Sequence, residues 1–111
     1  MLARDILKAH GELIEIGRVE KVRDPITGDL VDTIVTRSEA LALFESLRAE
    51  EKVLFPGTLR EATVRVYLEP SVEVKSDDLL IRYPSASRET RYKVLSTETF
   101  KEYKEVEAKE V

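Results

Sequence analysis

The sequence predicts a mainly β fold: a small β-barrel with a short N-terminal helix and long loops. Three observations carry that expectation. Apolar and polar residues alternate over several short stretches, most clearly in EATVRVYLEP at 61–70. Turn-forming residues separate these stretches at spacings of about ten residues, the rhythm of a small barrel or sandwich. Helical spacing opens the chain, at 2–10, where a helix would plug or flank the barrel.

Along the chain, LARDILKAH at 2–10 places Leu2, Ile6 and Ala9 on one helical stripe, and Gly11 stands at the C-terminal cap position. ELIEIGRVEKV, 12–22, alternates around Ile14 and Ile16 and reads as a strand, bulged at Gly17. Asp24-Pro25-Ile26-Thr27-Gly28-Asp29 is a turn: Pro25 presets φ, Asp24 bonds forward to the backbone, and Gly28 supplies a positive φ. LVDTIVTR, 30–37, returns as a second strand, so 12–37 is predicted to be a β-hairpin.

Residues 38–52 leave two readings open. Leu41, Phe44 and Leu47 recur every third residue behind a capping Ser38, which slightly favours a helix. EALALFES also suits a buried strand followed by a helical turn over 48–52. Pro56-Gly57 marks a turn. Strands follow at 61–70, 79–83 and 91–96, with Asp77-Asp78 a turn and Pro84 to Thr90 a loop. The tail EYKEVEAKEV alternates as an edge strand should, although Phe100, Tyr103 and Val106 also fit a helical stripe.

The 111 residues suffice for one domain with one modest core. At 42% apolar and 36% charged the chain is globular with a heavily charged surface. No apolar run approaches the roughly 18 residues of a membrane span, and charges occupy the first ten residues where a signal peptide needs an apolar centre. The expected location is therefore intracellular or inside a particle. The net charge of −4 argues against a DNA-binding surface that works by counterion release, but suits a wall that DNA slides past. Cys, Asn, Gln and Trp are all absent, which removes disulfides, thiolate nucleophiles and cysteine-based zinc sites. With abundant Glu, Lys and Arg, this composition resembles that of thermophiles.

Residue groups that bear chemistry have plainer explanations. His10, the single histidine, falls at a helix end, where a cation-capable side chain meets free carbonyls. Asp24, Asp29 and Asp32 have no calcium-loop spacing. Asp77 and Asp78 are adjacent on an extended chain and point to opposite faces. Tyr67, Tyr83, Tyr92 and Tyr103 with Arg65, Arg82 and Arg91 offer one alternative function, the stacking platform of an oligonucleotide-binding barrel. No residue set points to a catalytic centre, a metal or a cofactor.

Three segments carry a family resemblance. GELIEIGRVEKVRDPITGDLVDT, EEKVLFPGTLREATVRVYLEP and VKSDDLLIRYPSASRETRYKVLSTE, within 11–108, resemble the head-closure (stopper) proteins of tailed phages. The sequence departs from the family at Ser76, where Gly usually precedes the aspartate, and in a loop from Pro84 to Thr90 longer than the common tight hairpin. The resemblance implies a non-enzymatic virion protein, a β-barrel with 39–46 as a strand, assembled in the host cytoplasm. It implies a homo-oligomeric ring between a portal or adaptor protein and tail proteins. DNA passes through such a ring without sequence-specific contact, and no membrane is involved. The expected partner-contacting loops are Arg23, Asp24, Pro25, Ile26, Thr27, Gly28 and Asp29, and Pro84, Ser85, Ala86, Ser87 and Arg88 in the second loop.

Overall fold

The computed structural model describes residues 3–47 and 61–111. Helix α1 (Ala3–His10) precedes six strands: β1 (Glu12–Arg23), β2 (Leu30–Ser46), β3 (Val64–Leu68), β4 (Leu79–Ser85), β5 (Arg88–Thr99) and β6 (Lys104–Glu110). The protein is mainly β, and its strands close into a barrel in the order β1-β2-β3-β6-β5-β4. All neighbours are antiparallel, including the β1–β4 seam that completes the circle.

Alternation explains the core. Ile14 and Ile16, Ala40 and Ala42, Val64, Val66 and Leu68, Leu80, Tyr92 and Val94, and Val106 and Ala108 all point inward and are buried. Small Ala40 and Ala42 leave room for Phe44 and Tyr92, whose rings lie 5.3 Å apart. Outside, α1 ends on Gly11, whose amide donates to the Leu7 carbonyl at 2.8 Å. Leu7 and Ile6 join Leu43, Tyr67 and Tyr103 around an apolar cavity of about 210 Å³. The helix flanks the barrel rather than plugging it.

Several expectations need correction. Of the two readings left open for 38–46, the strand, which the family resemblance also implies for 39–46, is the one that forms and the helix falls: β2 runs unbroken from Leu30 to Ser46. Its outward Leu43 lies beside α1 while its inward alanines meet the core, so both faces are apolar and imitate helical spacing. The helical turn at 48–52 and the Pro56-Gly57 turn lie outside the described residues. The loop predicted from Pro84 to Thr90 shrinks to a turn at Ala86 and Ser87, because β4 and β5 continue on either side of it. Pro84 falls where the register slips between Arg82 and Ser85, a bulge that needs no ladder bond from its nitrogen. Finally, the tail is not an edge: β6 pairs with β3 on one side and β5 on the other.

The seam between β1 and β4 spans only Glu15–Ile81, Ile16–Leu80 and Gly17–Leu79. Side chains reinforce it. Arg82 grips Glu12 through Nε at 3.0 Å and Nη2 at 2.7 Å while lying over the Phe44 ring, and the Tyr83 hydroxyl donates to Glu15 at 2.6 Å.

Candidate functional site

Beyond Gly17, β1 leaves the barrel wall. Arg18–Arg23 and Leu30–Thr36 continue to pair with each other, forming a two-stranded arm. The register slips between Arg18 and Val19, and the extra residue on β2 twists the ribbon where the arm begins. Gly17 sits at this base, where a Cβ would stand 3.1 Å from Ile34 Cγ2 and push that side chain aside. Val19 and Ile34 are half-buried, whereas every residue from Glu20 to Arg23 is exposed.

At the tip, the predicted turn forms as its chemistry dictates. Asp24 Oδ1 accepts the amides of Ile26 at 2.7 Å and Thr27 at 3.3 Å. Gly28, at φ 76°, donates its amide to the Asp24 carbonyl at 2.8 Å, and Asp24 donates to the Asp29 carbonyl at 2.7 Å. The Arg23 guanidinium closes over the Gly28 carbonyl at 2.6 Å. Asp24 is thus committed to its own backbone. The turn holds Ile26 outward at 93% exposure, with Leu30 at 58% and Val22, Val31 and Val35 also exposed. A rigid, hydrogen-bonded tip presents those apolar groups with little ordering left to be done on contact.

The two predicted contact loops do not come together. Antiparallel pairing of β1 with β4 sets Gly17 beside Leu79, so β4 runs toward Glu12 and away from the arm. The Pro84–Arg88 hairpin therefore lies at the end of the barrel opposite the Arg23–Asp29 tip. Its turn residues Ala86 and Ser87 are exposed and carry little apolar surface.

A charged network covers the outer wall. Arg37 and Tyr83 both donate to Glu15, Arg37 at 3.1 Å, and these bonds hold the Glu15 carboxyl below the usual carboxylate range while raising the Tyr83 hydroxyl. Arg65 Nε lies 2.8 Å from Glu105 and 3.2 Å from Glu107. Burial, followed by a hydrogen bond with Glu107, raises the Glu105 carboxyl despite that arginine. Such groups brace neighbouring strands rather than face a ligand.

The tyrosines do not assemble into a stacking platform. Tyr92 is in the core, Tyr83 is bonded to Glu15 on β1, and Tyr67 packs edge-on against Tyr103, 5.8 Å between centroids. The accompanying arginines are bound to carboxylates: Arg65 to Glu105 and Glu107, Arg82 to Glu12, Arg91 to Glu89.

Asp77 and Asp78 also part, at a turn rather than along an extended strand. Asp77 takes a φ of 74° with its side chain outward, 3.4 Å from Lys93, whereas Asp78 is buried at 4% exposure. Asp78 Oδ2 accepts the Lys75 amide at 2.9 Å, and Oδ1 lies 3.7 Å from Arg18 Nε. This buried carboxylate, which in the sequence looks like no more than hairpin entry, anchors the barrel end beside the arm. His10 is the exposed last residue of α1.

Comparison of the chain with protein-family models, curated proteins and solved structures finds no match.

Proposed function

We propose that this chain is a structural joining protein of a tailed-virus particle: a non-enzymatic subunit of the head–tail connector ring. The observation that carries the reading is the arm. A closed barrel has satisfied its own strands, yet β1 and β2 run on past it and carry five apolar side chains into solvent. Apolar surface on a rigid projection is the form of a docking element. Its tip and the Pro84–Arg88 hairpin point to opposite ends, which suits a subunit held between two partners. The sequence likeness to head-closure proteins supplies the identity of those partners, a portal-side ring and a tail-side protein. The acidic balance of the chain, −4, fits a wall that DNA passes without adhering.

The test is reconstitution with the portal ring encoded by the same genome. The purified chain is expected to co-sediment with that ring at a fixed stoichiometry and to hold packaged DNA in heads lacking it. A chain that ignores the ring but shifts labelled single-stranded DNA in a salt-dependent manner overturns the proposal and restores the oligonucleotide-binding reading.

A further inference from the structure

The arm has open edges on both sides. Away from β2, β1 is paired only at Glu15, Ile16 and Gly17. Away from β1, β2 is paired only from Leu43 to Ser46. Among the described residues, the outer edges of 18–23 and 30–36 therefore have no strand beside them. Open edges are pairing templates, and proteins usually shorten, bulge or cover them.

The tip bond fixes which backbone groups those edges offer. Asp24 donates to the Asp29 carbonyl, so 24/29 is a hydrogen-bonded pair. Antiparallel pairs alternate, so Val22/Val31 and Glu20/Thr33 are bonded inside the arm. Arg23/Leu30, Lys21/Asp32 and Val19/Ile34 are then the pairs whose N–H and C=O groups point outward.

We infer that the arms of adjacent copies pair edge to edge, the outer edge of β1 in one copy with the outer edge of β2 in the next. The inference deepens the joining-ring reading and rests on it. In a ring all arms point the same way; β1 runs outward and β2 inward, so neighbouring β1 and β2 edges are antiparallel without any rearrangement. At equal height, Lys21 meets the neighbour's Asp32, Arg23 meets its Leu30, and Val19 meets its Ile34. Outward groups face outward groups, one opposite-charge pair and two apolar pairs form (Val19 with Ile34 and Val22 with Val31), and no like charges stand opposite.

The competing two-fold arrangement, β1 against β1 of another copy, lacks that complementarity. Centred on Lys21 it sets lysine against lysine, centred on Glu20 it sets glutamate against glutamate, and centred on Val22 it sets Lys21 against Arg23. Like charges directly opposite destabilise a strand pair. A head-to-tail contact also propagates around a ring, whereas a two-fold contact stops at a dimer. A groove of about 570 Å³ between the arm, at Val19 and Lys21, and the barrel wall, at Leu79 and Lys93, leaves space for the neighbour's side chains.

The chain has no cysteine, so cross-linking reads the contact cleanly. Chains carrying Lys21→Cys are mixed with chains carrying Asp32→Cys and oxidised at rising concentration. The mixed 21–32 dimer is expected to dominate over dimers formed in either variant alone. Equal yields in a single-variant sample, or no cross-link in the mixture, overturn the edge pairing. Lys21→Pro gives a second reading: it removes an outward N–H without touching a bond inside the arm, so it should abolish association with the circular dichroism spectrum unchanged. Association that persists in Lys21→Pro also refutes the proposal. If the wild-type chain binds the portal ring but no 21–32 cross-link forms, the joining role stands and arm pairing falls. If the cross-link forms but the portal ring is not bound, arm pairing stands and the joining role falls.

Discussion

At the scale of residues, two neighbouring aspartates show how position decides worth. Asp78 is buried, accepts the Lys75 amide and faces Arg18. Asp78→Ala should cost about 1–3 kcal/mol, because it removes the acceptor of a part-buried amide and the ion-pair partner of Arg18, whose side chain is 35% exposed. Asp77 is exposed and holds a left-handed φ that glycine adopts more easily, so Asp77→Gly should stay within about 0.5 kcal/mol of the parent. Urea denaturation of the two variants checks the contrast; equal losses would contradict the assignment. Glu105 supplies a pH signature. Its raised folded-state value means that the native chain holds this proton more tightly than the unfolded chain. Stability from this group is therefore present in acid and falls as pH rises from the ordinary value of 4.5 through the raised one. The melting difference between Glu105→Gln and the parent should grow in the variant's favour across that window and then level off. A difference that is flat with pH would show that burial does not govern this carboxyl.

At the scale of elements, the weakest join is the β1–β4 seam, with three register pairs. Arg82 compensates by gripping Glu12 with two nitrogens across it. Arg82→Ala should cost about 1–2 kcal/mol, a charge-assisted pair discounted for its partial exposure. Amide exchange should quicken first at Glu15, Gly17, Leu79 and Ile81, whose backbone groups face across the seam; uniform acceleration throughout the barrel would show that the seam is not the weak join. Strands with one clean apolar face were legible in the sequence: 64–68 announces itself by alternation, 104–110 does so only against a competing helical stripe, and the Asp24–Asp29 turn shows in its residue types. Segments under two influences were not. The strand at 38–46 is apolar on both faces because α1 lies beside its outer side, and that doubles as a helical stripe. Pro84-Ser85-Ala86-Ser87 has loop composition, yet a bulge absorbs the proline and lets the strand continue. Neither the α1 contact nor the bulge is visible in local spacing.

At the scale of the whole molecule, closure was the least legible property. The pairings β3–β6 and β1–β4 join segments far apart in sequence, and local alternation cannot name partners; hence the tail looked like an edge when it is flanked on both sides. The same limit hid the arm: 12–37 reads as an ordinary hairpin until the barrel is closed and half of it remains outside. Composition makes a separate claim on the whole chain. Lacking Asn, Gln and Cys and rich in paired charges, it should melt above the mesophile range of roughly 45–65 °C; a midpoint within that range removes the thermophile inference.

The joining role requires the arm to be a docking device rather than part of the fold. Residues 21–32 can be replaced by Asn-Gly, a two-residue turn that closes the Glu20–Thr33 pair and leaves the barrel intact. Co-sedimentation of this shortened chain with the portal ring, with its thermal midpoint recorded alongside, is the direct measurement. A docking arm predicts a midpoint close to that of the full chain and no binding to the ring. Undiminished binding, or collapse of the barrel without its arm, would contradict it.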